Sequence, residues 1–176
     1  MEMTVESITE AVLSLPSDAR ALLADRLVES LDPLNGLVIR EAWSTEALRR
    51  LEGARSGRVL TIPAEEAFTR VRAWPNDSCQ VHLDALAEFE DAANYFELLQ
   101  PGLSARFVAN IESALQSVLE APEVWPVLVT EVRRRLIRVF PYALLYSVEP
   151  DHVLVLAVMH AIKSPAIGLH ARQAHN

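Results

Sequence analysis

The sequence predicts an α+β protein in two parts, and three observations carry that prediction. Up to about residue 73, apolar residues recur at helical spacing. The run Trp74-Pro75-Asn76-Asp77-Ser78 then concentrates turn formers. Beyond it the pattern reads strand, two antiparallel helices, and a three-stranded antiparallel meander. The expected organisation is a helical region over 1–73, a linker over 74–78 and a second domain over 79–176.

In the first region Val5, Ile8, Val12 and Leu15 fall on one helical face before Pro16 interrupts. Ser17 can cap a second helix with the stripe Ala21, Leu22, Leu27, Val28 and Leu31. Asp32-Pro33 and Asn35-Gly36 break the chain. A third helix is expected from about Val38 to Ala54, with Trp43, Ala47, Leu48 and Leu51 on one side and Arg49, Arg50 and Glu52 exposed. It ends near Ser56-Gly57. Val59–Ile62 reads as extended, and Pro63 suits the first turn of a short fourth helix carrying Ala67, Phe68 and Val71.

In the second region Gln80–Asp84 reads as a strand, with Asp84 placed to cap a helix bearing Leu86, Phe89, Ala93 and Phe96. Pro101-Gly102 ends that helix. Leu103, Phe107, Ile111, Ala114, Leu115 and Val118 then form a continuous stripe to about Glu120. Three β segments follow: Val132–Phe140, Tyr142–Val148 and His152–Met159. Their short connections make them antiparallel neighbours, with the helix pair on one sheet face.

Composition narrows the function classes. With 51% hydrophobic residues the chain has ample core material. The net charge is −8, and 1–73 and 74–176 carry −3 and −5, so neither part offers the broad basic surface of a nucleic-acid binder. Four of the second part's seven cations nonetheless crowd into Arg133, Arg134, Arg135 and Arg138. The N-terminus lacks signal-peptide features and the most apolar run, Val153–Met159, is too short to cross a bilayer, so no membrane role and a cytoplasmic location are expected. The one cysteine, Cys79, reads as an inert structural thiol. No metal or cofactor is expected: phosphate loops and metal-ligand spacings are missing, and His82, His152, His170 and His175 are scattered.

Two tracts resemble known families. SLPSDARALLADRLVESL, followed by LRRLEGARSGRVLTIPAEEAFTRVRA, resembles addiction-module-component antitoxins. The second part resembles the RelE/ParE toxin superfamily through Pro101-Gly102-Leu103, Pro122 to Pro126, Arg134-Arg135, Phe140-Pro141-Tyr142, Tyr146 and Ala157-Val158-Met159-His160. The double resemblance implies a type II toxin–antitoxin fusion, related to plasmid stabilisation and growth inhibition, in which a helical antitoxin segment wraps a toxin and neutralises it. Trp43, Leu48, Leu51, Ile62, Phe68 and Val71 are the expected antitoxin–toxin contacts, since large apolar anchors dominate such interfaces. Ordinary packing is the alternative for Trp43, Phe68 and Val71. The five residues 74–78 stretch only about 18 Å. Either Arg70–Trp74 lies beside the toxin's first strand, or the antitoxin segment reaches a neighbouring chain in a swapped homodimer.

The superfamily contains ribosome-dependent mRNA endonucleases and gyrase poisons, so the target implied is ribosome and mRNA, or DNA gyrase. For the endonuclease, Arg134 and Arg138 would hold phosphate, with His160 and Lys163 as further candidate catalytic residues and His160 a proton shuttle. Strand alternation puts Arg134, Leu136 and Arg138 on one face and Arg133 and Arg135 on the other. Some of these arginines could instead pair with antitoxin carboxylates such as Glu65 or Glu66, or stay solvated, and His160 could be structural. The family's Arg-rich Pro-Gly-Tyr-Trp tail is replaced by Ala161-Ile162-Lys163-Ser164-Pro165-Ala166-Ile167-Gly168, which lacks its aromatic residues. A gyrase poison without catalytic residues and a decayed, inactive module are the alternatives that this departure leaves open.

Overall fold

A computed structural model describes residues 4–16, 19–20, 23, 36–67, 78–160 and 165. The chain divides into two compact units, Met1–Asn35 and Gly36–Asn176. In the first unit, α1 (Val5–Leu13) begins at a reciprocal cap: Thr4 Oγ1 accepts from the Ser7 amide, and Ser7 Oγ accepts from the Thr4 amide. Val5, Ile8, Leu13 and Leu15 are exposed. The stripe expected over 21–31 lies outside the described residues, apart from helical Leu23.

The second unit runs α2 (Gly36–Arg55), β1 (Thr61–Pro63), α3 (Ala64–Ala67), β2 (Cys79–His82), α4 (Leu83–Leu99), α5 (Leu103–Glu120), β3 (Val127–Val129), β4 (Val132–Leu136), β5 (Tyr142–Val148) and β6 (Val153–His160). The six strands form one sheet in the order β1-β2-β6-β5-β4-β3. Only the β2–β6 pair is parallel; the α4–α5 hairpin supplies the crossover that a parallel pair needs. The expected α+β order is thus present in a larger sheet, extended by β1 at one edge and β3 at the other.

Two cores flank this sheet. On one face Ala85, Phe89, Ala93, Phe96, Phe107, Ile111 and Leu115 of the α4–α5 pair meet Val81, Leu144, Val155 and Val158. Phe96 and Phe107 stand edge-on to Phe140 at centroid distances of 4.8 and 5.2 Å. The other face is covered by α2, whose Trp43, Ala47 and Leu51 pack on Val132, Ala143, Leu145, Leu154, Leu156, Ala157 and Met159. Strands buried on both faces read as unbroken apolar runs, and β5 and β6 do.

Four details correct the sequence reading. The α4 cap is His82, whose Nδ1 accepts from the Asp84 amide at 3.1 Å; Asp84 sits in the first turn, where a carboxylate suits the helix dipole. Pro63 ends β1 instead of opening a helix. β4 stops at Leu136, and the left-handed φ of 71° at Val139 belongs to the loop that follows, so alternation does not carry through to Arg138. Arg50 is not exposed with Arg49 and Glu52: it lies seven residues after Trp43, two turns along the same face, and is 1% exposed.

Trp125 plugs the loop between α5 and β3. Its indole N–H reaches Ser117 O at 3.4 Å, and the Arg135 guanidinium stacks 4.0 Å from its ring centroid. Among the described residues no helix is long and apolar enough to cross a membrane.

Candidate functional site

The site with the most built-in chemistry is the sheet face under α2 together with the β2 edge beside it. The apolar stripe of α2 is spaced i, i+4, i+8, which keeps Trp43, Ala47 and Leu51 on one side; Leu48 packs at its margin. Past Gly57, whose φ of 68° permits the reversal, the chain returns as β1. Thr61, Ile62 and Pro63 pair with His82, Val81 and Gln80, adding a strand to the edge of the sheet. Ile62 packs against the core on the α4–α5 side. α2 and β1 therefore grip the second domain on a face and on an edge. Arg70–Trp74 lie outside the described residues, and the place beside β2 that they were expected to take is held by β1.

A buried polar chain crosses this contact. Arg50 Nε donates to Glu46 Oε1 at 2.7 Å, Nη2 to Glu88 Oε1 at 2.7 Å and Nη1 to Leu156 O at 2.9 Å. Glu88 Oε2 accepts the Val158 amide at 2.9 Å. The sheet explains this arrangement. The last β2–β6 partners are Val81 and Val155, so beyond Val155 that side of β6 has no neighbouring strand. On the β5 side Val155 faces Tyr146 and Ala157 faces Leu145, leaving Leu156 as a one-residue bulge. A carbonyl at one residue and an N–H two residues later is the pair that a parallel strand would engage. Arg50 and Glu88 engage that pair instead, satisfying both groups.

The electrostatics follow from burial and pairing. Burial disfavours the charge on Glu46, but hydrogen bonds from Arg49 and Arg50 outweigh it and hold this carboxyl below the usual range. Burial pushes the Glu88 carboxyl up, against the pull of Arg50 and the Val158 amide. The Arg50 guanidinium stays charged, its two carboxylate partners outweighing its desolvation, and it also lies 5.9 Å from the Trp43 ring centroid. Five residues on, Arg55 forms a second anchor. Its guanidinium meets both oxygens of Glu131 at 2.8 Å, and both oxygens of Glu149 at 3.1 and 3.0 Å. Bidentate geometry of this kind fixes orientation as well as distance.

His82 stands beside the same cluster. It is 1% exposed, its Nδ1 lies 3.8 Å from Asp84 Oδ2, and its Nε2 has no hydrogen-bond partner among the described residues. Burial lowers its pKa, Asp84 opposes the shift, and the Arg50 and Arg49 charges add to it. The Cys79 thiol is pushed up to about 12 by burial, in keeping with an inert structural role.

Of the residues expected to carry catalysis, Arg134 and His160 lie on opposite faces of the sheet. Arg134 lies between Val132 and Leu136 on the α2 face and is buried there, opposite Leu145 of β5. His160 ends β6 opposite Tyr142, its ring 4.7 Å from that ring, on the α4–α5 face. The sheet separates the two. Arg138 is exposed on the loop after β4, and Lys163 lies outside the described residues. Arg133 and Arg135 serve the Trp125 loop: Arg133 Nη1 donates to Trp125 O at 2.7 Å, and Arg135 donates to Ser117 Oγ at 3.1 Å and to Leu136 O. Of the expected contact residues, Trp43, Leu48, Leu51 and Ile62 lie against the second domain. Phe68 and Val71, like the side chains of Glu65 and Glu66, lie outside the description. Among the described residues no His, Cys, Asp and Glu cluster could hold a metal ion.

The residues that sequence reasoning missed are Glu46, Arg50, Arg55, Glu88, Glu131 and Glu149. A signal was available for one pair only, in the i, i+4 spacing of Glu46 and Arg50 on the Trp43 stripe.

Residues 14–67 match the family model described as "Putative addiction module component". Residues 80–164 match that of the "ParE toxin of type II toxin-antitoxin system, parDE". Stretches similar to these two families thus follow one another in one polypeptide. The antitoxin-type match takes in α2 and β1, and the ParE-type match takes in the sheet from β2 to β6 and both core helices. A solved structure titled "Chromosomal ParDE TA system from P. aeruginosa" is also similar to this chain: the match covers 47% of this chain and 94% of that one, at 16% identity and a TM-score of 0.44. No curated protein matches the sequence.

Proposed function

We propose that this chain is a self-neutralised type II toxin–antitoxin fusion, in which the antitoxin-type segment inhibits the ParE-type domain to which it is joined. The observation that carries this reading is the double grip of α2 and β1: α2 packs on the sheet face made by β4, β5 and β6, the face on which Arg134 is buried, and β1 occupies the β2 edge. Covalent attachment strengthens such inhibition. A short tether holds the inhibitor at an effective concentration of about millimolar, so neutralisation no longer depends on the abundance of a separate partner. Expression of the intact chain leaves growth unaffected under this reading, whereas residues 77–176 alone arrest it. A soluble, folded 77–176 fragment that left growth unchanged would overturn it.

A toxin that acts by binding, such as a gyrase poison, is favoured over an mRNA endonuclease by one feature. The sheet holds Arg134 and His160 on opposite faces, so they do not form a joint acid–base and phosphate site. Incubating the freed domain with gyrase and with translating ribosomes separates the two targets. DNA cleavage complexes identify a poison, codon-dependent cuts identify a nuclease, and activity on neither identifies a decayed module.

A further inference from the structure

We propose that the Arg50–Glu88 pair, and not the apolar stripe of α2, decides which helix the ParE-type domain accepts on this sheet face. The inference rests on the self-neutralisation reading for its biological meaning and names the chemistry of the partner: a helix presenting a guanidinium two turns beyond an aromatic anchor.

Apolar contact alone discriminates poorly here. Burial energy is non-directional, and Trp43, Ala47 and Leu51 recur at four-residue intervals, so a helix shifted by one turn, or another amphipathic helix, would still cover the apolar sheet face. The polar chain removes that freedom. Arg50 is 1% exposed and its three donor nitrogens each have a partner on a different element: Glu46 on α2, Glu88 on α4 and Leu156 on β6. Glu88 is itself committed to the Val158 amide. A helix without the guanidinium leaves the largely covered Glu88 carboxylate and the Leu156 carbonyl at the open end of β6 without their shared donor. A shifted helix does the same and buries its own cation elsewhere. Removing one partner of a buried pair costs several kilocalories per mole, whereas replacing both partners with neutral groups is tolerated. The domain thereby rejects helices that hydrophobicity would admit.

The test uses the full chain with a protease site inserted between residues 68 and 77. After cleavage the antitoxin-type segment is held without a covalent link, and its retention is read by size-exclusion chromatography and a dissociation constant. Four chains are compared: wild type, Arg50→Met, Glu88→Gln and the double variant. Met keeps the helix propensity and adds apolar surface, so burial alone predicts equal or tighter retention of Arg50→Met. Charge pairing predicts release, with affinity weakened about a hundredfold. A Gln at 88 has an amide that can accept from Val158 and donate to Leu156 in the manner of a peptide group. The double variant therefore recovers at least about tenfold of the loss seen in Arg50→Met.

Retention of Arg50→Met at wild-type strength, or a double variant no better than Arg50→Met, would overturn the proposal. If a single variant does not survive cleavage in folded form, thermal unfolding of the four uncut chains reads the same coupling: the double variant melts above Arg50→Met if the pair acts as proposed, and at or below it if not. Neither readout requires toxicity. An inactive toxin half would sink the functional reading and leave this one standing.

Discussion

At the level of single residues, the side chains that matter most are those whose surroundings oppose their chemistry. Burial, with two nearby guanidiniums and against the pull of Asp84, disfavours the His82 cation. Its folded-state pKa lies below the usual 6.5, so its contribution to stability is present above about pH 6.5 and lost as the pH falls towards the depressed value. Glu88 carries the opposite sign: its raised pKa costs stability at neutral pH, and that cost is relieved on acidification. His82→Asn keeps a capping side chain and removes the titration. Urea unfolding at pH 7.5 and 5.5 therefore shows a larger loss at acid pH for the wild type than for His82→Asn; equal losses would show that His82 has no such role. Trp43 is a simpler case. It is 3% exposed at the centre of the α2 contact, and Trp43→Ala should lower unfolding free energy by about 3–5 kcal/mol, measured by denaturant titration.

At the level of elements, legibility in the sequence tracks how local the determinants are. The α5 stripe from Leu103 to Val118 is visible because every contact it makes comes from one face of one helix. Of the stretch Val59–Ile62 expected to be extended, Thr61 and Ile62 are in the strand, but its partner is not legible, because strand pairing between Thr61 and His82 is a property of two distant segments. β3 is three residues long at a sheet edge and too short to show alternation. The early end of β4 was hidden because Arg138, Val139 and Phe140 continue a plausible β pattern up to Pro141. Arg50 reads as exposed because a charge does so unless its partners are known, and two of its three partners are 38 and 106 residues away. The same non-local pairing makes β1 testable. Ile62→Asp puts a carboxylate against the core on the α4–α5 side, and should destabilise the chain by at least about 2 kcal/mol, with faster amide exchange across β1 and β2. Unchanged exchange in β2 would show that β1 adds nothing to that edge.

For the molecule as a whole, fusion turns an encounter between two proteins into a property of one chain. Antitoxin-type and ParE-type segments made separately would associate according to their concentrations, whereas the joined chain has a fixed ratio of one to one. If the chain neutralises itself as proposed, growth is insensitive to the expression level of the intact chain over a hundredfold range. The same two segments from independent promoters should become toxic when the first falls below the second. A level-dependent arrest by intact chain would contradict that.

The three-residue strand β1 has one more consequence, which concerns self-association. An uncovered strand edge is a template on which identical molecules can stack, and proline is among the residues that blunt it. By occupying β2 with a short strand that ends in Pro63, the chain meets that hazard with its own preceding segment. A ParE-type domain cut free of residues 1–73 would expose the β2 edge and the apolar face beneath α2 together. Such a fragment would be lost to polymerisation and precipitation in proportion to its concentration, so the soluble fraction sets how much of the domain any growth experiment actually delivers.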